Sequence, residues 1–277
     1  MTRLSPASKT STFRRMAAAM WRRPRDPTIY GSLDIDATAA IAFLERQRRE
    51  TGVKVTMSHL VAGAVARMIA RHPEVNAKVR FWGRIEERDD VVLTLQVASD
   101  DGRDLSAARI EGAHRLSITD IAEAVRAQAR SIRVGKDENF DKTRSLVSRL
   151  PWWLVRPALD LGDLITNELE LDLPSQGLMR DPFGSAMVTN VGMFGIDTAF
   201  APFTPIARCP ILVLVPEVRR RPWAEGDAVV VRPVLRLCAT FDHRIVDGAQ
   251  AGALSRTIRA LLESPEGLAI SQSSSKP

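Results

Sequence analysis

The longest purely aliphatic run in the chain is Ile211 to Val215, five residues. A membrane-spanning helix needs about 20 consecutive apolar residues, so this run reads instead as a buried strand. The segments around it alternate in period. Residues 28–36 (TIYGSLDID) alternate apolar and polar side chains and predict a strand. Asp36 is placed to cap a helix over 37–50, which Gly52 stops. Ser58 opens a second helix that runs to residue 71, with apolar residues at three- and four-residue steps, and ends at His72-Pro73. Strands are predicted over 79–85, 90–99 and 104–110, and a helix over 117–134. Residues 136–182 are less regular. They predict two short helices with exposed or half-exposed apolar faces, broken by Pro151 and Pro157. A strand at 185–190, the turn-rich GMFGID at 192–197, a strand pair at 229–231 and 234–241 interrupted by Pro233, and a helix over 249–263 complete the pattern. Residues 13–25 read as a short basic helix or arm. The ends, 1–12 and 271–277, read as disordered. No repeat or linker divides the chain, which predicts a single domain over 1–277.

Composition supports a filled core. Of 277 residues, 45% are hydrophobic and 26% charged. No apolar stretch follows the first basic residues, so no secretory signal is read. Two cysteines, Cys209 and Cys238, fit a reducing compartment, which predicts a cytoplasmic protein. The net charge is 39 − 33 = +6. A basic balance raises nucleic acid, anionic membrane or an acidic ligand as partners. The 33 arginines against 6 lysines point instead to codon usage in a GC-rich genome, and only 5% aromatics argues against a base-stacking platform. No nucleic acid and no membrane contact is expected.

The chemistry concentrates in FDHRIVDGAQA, residues 241–251. A histidine follows a strand end, and four residues later Asp247 and Gly248 open a helix. An imidazole at such a junction can present one ring nitrogen to a cleft as a general base. A histidine satisfied within a turn reads equally well from these six residues alone. Asp247 with Gln250 three positions on makes a helix N-cap box. His59 at a helix start, His72 at a helix end and His114 in a polar loop read as structural. No His, Cys or carboxylate cluster has metal-ligand spacing, so no metal is expected. Arg219-Arg220-Arg221 reads as a solvated face.

The segment DHRIVDGA resembles the signature of the dihydrolipoamide acyltransferases, the catalytic domains at the core of 2-oxo acid dehydrogenase complexes. Three further blocks follow the family's order: RRMAAAM at 14–20, RHPEVNA at 71–77, and VTNVGMFGIDTAFAPFTP at 188–205. The resemblance implies an α/β fold, the chloramphenicol acetyltransferase-like two-layer sandwich with a mixed sheet and packed helices. It implies an acyltransferase moving an acyl group between a thioester and a thiol or other acceptor. His243 matches the family's general base. Thr189 holds the hydroxyl position that donates to the oxyanion. Asp247 steadies the histidine loop by pairing with an arginine, here Arg14 or Arg15. Gly248 permits close packing at the helix start, and Asn190 and Gly192 carry the turn after Thr189. Coenzyme A or acyl-coenzyme A is the implied substrate, and a lipoyl group enters only on another chain. The family forms a homotrimer or larger assembly with the active site between subunits.

Two departures stand out. The match begins near residue 13, leaving no room here for the lipoyl domain, linker and subunit-binding domain that the family carries. That raises a stand-alone acyl-coenzyme A transferase for a small or lipid-like acceptor, or a non-catalytic assembly subunit, as rivals. Residues 140–182 are longer and more apolar than the family's usual connection, with Trp152, Trp153, Leu154, Val155 and Leu159 beside Arg149 and Arg156. This atypical insertion reads as extra core or subunit contact, as a lid over the active site, or as a surface for a membrane. It is expected next to His243.

Overall fold

The computed structural model describes residues 26–98, 105–133, 151–173, 178–204 and 206–271. Its centre is a mixed sheet of seven strands. These are β1 (Thr28–Asp36), β4 (Leu93–Ala98), β5 (Leu105–Ile110), β6 (Ala186–Asn190), β7 (Ile211–Val215), β8 (Arg219–Glu225) and β9 (Ala228–Asp242), where β2 (Ala77–Val79) and β3 (Ile85–Glu87) form a separate small hairpin. The order across the sheet is β1-β9-β7-β6-β4-β5, with β8 added on β9. β7 runs parallel to β6 and β6 parallel to β4, and the other pairs are antiparallel. The aliphatic run of β7 sits mid-sheet with all five residues buried, as a strand covered on both faces requires.

Alternation along the strands separates two layers. Ala186 and Val188 of β6, Ile211, Val213 and Val215 of β7, and Leu235 and Leu237 of β9 point into the larger core. The helices cover that face: α1 (Thr38–Thr51), α2 (Met57–Arg71), α3 (Ile118–Arg133) and α5 (Gly248–Glu263). α2 is the central one, and every residue from Leu60 to Ile69 is buried. Met187, Leu212, Leu214 and Cys238 point the other way, into a smaller core closed by Ala207, Cys209 and the loop through Ala199, Ala201 and Phe203. This is the two-layer mixed-sheet architecture expected above.

Most boundaries fall within two residues of the sequence reading. Asp36 is the last residue of β1 rather than a cap, although its carboxylate still takes the Thr38 amide at 2.9 Å. The stretch predicted as one strand over 79–85 is the β2–β3 hairpin, turned by the 3-10 segment Phe81–Gly83. Pro233 does not interrupt β9. Its carbonyl accepts the Ala37 amide on the β1 side, and β1 has already ended at Asp36. The missing proline N–H faces that same side, so no ladder bond is lost. The arginine run read as a solvated face is strand β8, with Arg219 and Arg220 exposed. Pro157 does not end a helix among the described residues. Helix α4 (Trp152–Asp163) runs through it and continues as a π-helical turn over Leu164–Glu168. An interior proline forfeits one backbone bond, while the side of α4 carrying Leu154, Val155 and Ala158 stays partly covered. Trp153, Leu159 and Leu161 are exposed, as the apolar-face reading expected.

Candidate active site

β9 delivers His243 to the end of the sheet. A tight turn over Asp242–Val246 then leads into α5. The Asp242 carbonyl accepts the amides of Ile245 and Val246 at 3.0 and 2.9 Å. Its carboxylate takes the Arg244 amide at 3.0 Å and the Arg244 guanidinium through Nε and Nη2, the latter at 2.6 Å. The His243 side chain folds back so that Nδ1 lies 2.9 Å from the Val246 carbonyl. A carbonyl can only accept, so Nδ1 carries the proton. In the neutral ring Nε2 then keeps its lone pair. His243 is exposed, with its amide bonded to the Pro27 carbonyl.

Asp247 caps α5. Its Oδ1 accepts the amides of Ala249 and Gln250 at 2.7 and 3.1 Å, and the Gln250 side chain accepts the Asp247 amide at 3.0 Å. The N-cap box read from the sequence is therefore present. The candidate arginine partners, Arg14 and Arg15, lie outside the described residues, as does the basic arm at 13–25. Gly248 is the first residue of α5.

Thr189 lies near the far end of β6. It is level with Leu214 of β7, which is level with Cys238 of β9. Cys238 precedes Asp242 by four residues, or about 13 Å of strand, and β6 and β9 lie two strand spacings apart. Thr189 and His243 of one chain therefore sit at opposite ends of the sheet, roughly 16 Å apart or more. Asn190 turns to the helix layer, where its Nδ2 donates to Ser58 Oγ at 2.9 Å and its Oδ1 accepts the Met193 amide at 3.2 Å. Gly192 follows, packed so tightly that a Cβ there would lie 2.6 Å from the Glu217 amide nitrogen.

The other titratable groups are less suited to chemistry. His59 is the third helical residue of α2, with Nδ1 accepting the Thr56 amide. His72 ends α2 and contacts Thr257 at 2.9 Å, and His114 lies in a 3-10 turn. Burial pushes the Cys209 thiol up to about 12, which leaves no thiolate near neutral pH. Among the described residues no group of three or more His, Cys, Asp or Glu could hold a metal, and no helix is long and apolar enough to cross a membrane. Ser58, Asp242 and Arg244 were not singled out as supports in the sequence. The adjacent charges of DHR signal the Asp242–Arg244 pair, whereas Ser58 reaches Asn190 only in three dimensions.

The family model for the 2-oxoacid dehydrogenases acyltransferase (catalytic domain) matches residues 6–146 and 179–270. The chain belongs to this family. Residues 147–178, most of the atypical insertion, fall between the two matched stretches of the acyltransferase domain. Among similar proteins is the dihydrolipoyllysine-residue acetyltransferase component of the acetoin cleaving system of Bacillus subtilis, 26% identical over 82% of this chain and 48% of that protein. Another is the dihydrolipoyllysine-residue succinyltransferase component of the 2-oxoglutarate dehydrogenase complex of Haemophilus influenzae, 25% identical over 87% of this chain and 49% of that protein. The chain thus spans about half the length of these two relatives. The fold is shared with a probable dihydrolipoamide acetyltransferase of Listeria monocytogenes, at a TM-score of 0.64 and 19% identity over 99% of this chain and 98% of that one. It is shared also with the dihydrolipoamide acetyltransferase of Azotobacter vinelandii, at 0.65 and 17% over 97% and 99%. That enzyme was studied for the role of a serine, a histidine and an asparagine in its catalytic mechanism, the last two being four residues apart.

Proposed function

We propose that this acyltransferase domain moves an acyl group between a thioester, acyl-coenzyme A or an acyl-lipoyl group carried by another chain, and a thiol. His243 Nε2 takes the proton of the incoming thiol. The thiolate attacks the thioester carbonyl and gives a tetrahedral oxyanion, to which a Thr189 hydroxyl donates. Collapse expels the second thiolate, which recovers the proton from the His243 imidazolium. The observation that carries the reading is the Nδ1 contact to the Val246 carbonyl, which fixes the tautomer with its basic nitrogen on the exposed side. Asp247 stands four residues after His243, the spacing of the histidine and asparagine studied in the Azotobacter enzyme. Its role is to hold the turn and open α5, outside the proton transfer.

The two halves of this site belong to different copies of the chain. His243 and Thr189 are too far apart in one copy to reach one carbonyl, so a homotrimer or larger ring brings His243 of one copy to Thr189 of the next. Such a ring closes with identical interfaces. The test is complementation. His243→Ala is expected to lower acetyl transfer from acetyl-coenzyme A to dihydrolipoamide by about 10² to 10⁴, and Thr189→Ala by about 10² to 10³. When the two variants are co-expressed in equal amounts, about a quarter of the interfaces pair an intact histidine with an intact threonine. Activity should return to about that fraction. No recovery in verified mixed assemblies refutes the shared site. Full activity in His243→Ala refutes the role of His243 as base, and no transfer above background by wild type or variant with every thiol, hydroxyl and amine acceptor tried refutes the catalytic reading and leaves an assembly subunit.

A further inference from the structure

We propose that Arg208, gripped by the segment the family model leaves unmatched, is a positioning residue for His243. The proposal rests on the reading of His243 as the base. It gives the insertion a task in the site.

The grip comes from two carboxylates of the insertion. Asp163 Oδ2 lies 2.5 Å from Arg208 Nη2, and Glu168 Oε1 accepts from Arg208 Nη1. The Phe81 ring lies 5.2 Å from the guanidinium carbon, and the Val79 carbonyl accepts from Nη1 at 3.4 Å. All three charged side chains are between 10% and 14% exposed. Burial would raise the Glu168 carboxyl. The bonds from Arg208, the Phe81 amide and Arg80 outweigh it and hold the group below its ordinary value. The clamp is thus ionised at neutral pH and mostly shielded from water, where charge-assisted bonds are strongest.

The backbone at Arg208 is costly. Its φ is +47°, a conformation a residue with a Cβ adopts at a penalty and a glycine adopts freely. Arg88 donates to the Arg208 carbonyl at 3.2 Å and forks onto Asp181 at 2.7 and 2.8 Å; Asp181 itself has φ +44°. Packing alone does not require the arginine, because its neighbours Ala207 and Cys209 are already buried in the smaller core. A side chain kept against this cost is best explained by what its backbone leads to. Two residues on, the Pro210 carbonyl accepts the Asp242 amide at 3.0 Å. Asp242 in turn organises the turn whose Val246 carbonyl orients the His243 ring. The path from Asp163 and Glu168 to His243 is contiguous: ion pair, strained backbone, carbonyl, turn, ring. Positional errors of about 1 Å at a catalytic group can cost up to about 100-fold in rate.

The experiment compares Arg208→Gly with Arg208→Lys in the full chain. Glycine removes the clamp and relieves the backbone, so the variant is expected to fold. Its kcat for acetyl transfer to dihydrolipoamide should fall about 10-fold or more with the KM for acetyl-coenzyme A changed less than about two-fold. Lysine, a single point charge, should fall between glycine and wild type. A second readout does not depend on turnover. In protein carrying 13C-labelled histidine, the His243 signal, assigned by its loss in His243→Ala, should titrate at a different pH in Arg208→Gly. If His243→Ala turns over normally, the proposed function fails, and this titration still tests the clamp. A folded Arg208→Gly with unchanged His243 titration overturns the proposal, whatever its rate. Should Arg208→Gly fail to fold, Asp163→Asn and Glu168→Gln are read in the same two ways, with the same outcomes.

Discussion

Lowering the pH from about 7 to about 5 should weaken this fold through His59. Its Nδ1 accepts the Thr56 amide at 3.2 Å, the place a glutamate or glutamine usually fills in a helix N-cap box. A proton on Nδ1 would set donor against donor at that contact. It would also place a positive charge at the positive end of α2. Burial, and then the charge of Arg126, push this imidazole from 6.5 down to about 4. The folded state therefore prefers the neutral ring. Its contribution is complete above about pH 6.5, where the unfolded chain is also neutral, and is lost as the pH falls toward 4. Two and a half units at 1.36 kcal/mol each give a total of about 3 kcal/mol, of which about 2 is lost by pH 5. Urea unfolding followed by circular dichroism at the two pH values, at one protein concentration, measures the loss. The control is His59→Gln, which keeps the acceptor and does not titrate. Wild type should lose about 2 kcal/mol more than the variant between pH 7 and pH 5. Equal losses in both proteins would refute the reasoning.

Two other perturbations address the ends of the site separately. Asp247→Ala removes both amide bonds of the α5 cap and should cost about 1 kcal/mol in the same unfolding assay, while Asp247→Asn should cost a few tenths. Equal costs would mean that charge, not capping, is what Asp247 supplies. Gly192→Ala forces a Cβ against the backbone of Pro216 and Glu217 at 2.6 Å. Neither neighbour can rotate away, so a destabilisation of about 1 to 3 kcal/mol is expected. Transfer activity should fall further than stability does, because the displaced turn carries Asn190 and Thr189.

Local rules made most of this fold legible. The five-residue run of β7, the α5 N-cap box and the glycine stop after α1 each declare themselves in a few adjacent residues. Errors arose where distant partners decide the outcome. Pro233 looks like a strand breaker until β1 is seen to end beside it. The arginines of β8 are solvated as read, but their strand went unread because an edge strand needs no apolar face. Of the proposed site, His243, Thr189, Asp247 and Asn190 are the residues that the family motif names. Arg208 is not among them. It stands alone in ARCP, its conformation leaves no trace in residue type, and Asp163 and Glu168 are 45 and 40 residues away. The available signal was the presence of acids in the insertion.

The separation of the two halves has a mechanical consequence. At one end of the sheet, His243 is held by a turn that Asp242 organises and that Pro210 tethers to the segment the insertion grips. At the other, Thr189 precedes Asn190, which leans on Ser58 at the start of α2, one residue before His59. Acid is therefore expected to reach the Thr189 end first, through the helix start. Loss of Arg208 reaches the base side first, through the strained backbone. In the site proposed above, both inputs would meet at a single carbonyl, although within each chain they act at opposite ends of the sheet. Exposed Met193 and Phe194 lie on the Thr189 side, and the charged clamp lies on the His243 side. In the proposed ring, the apolar Thr189 end of one copy meets the end of the next copy that carries the clamp.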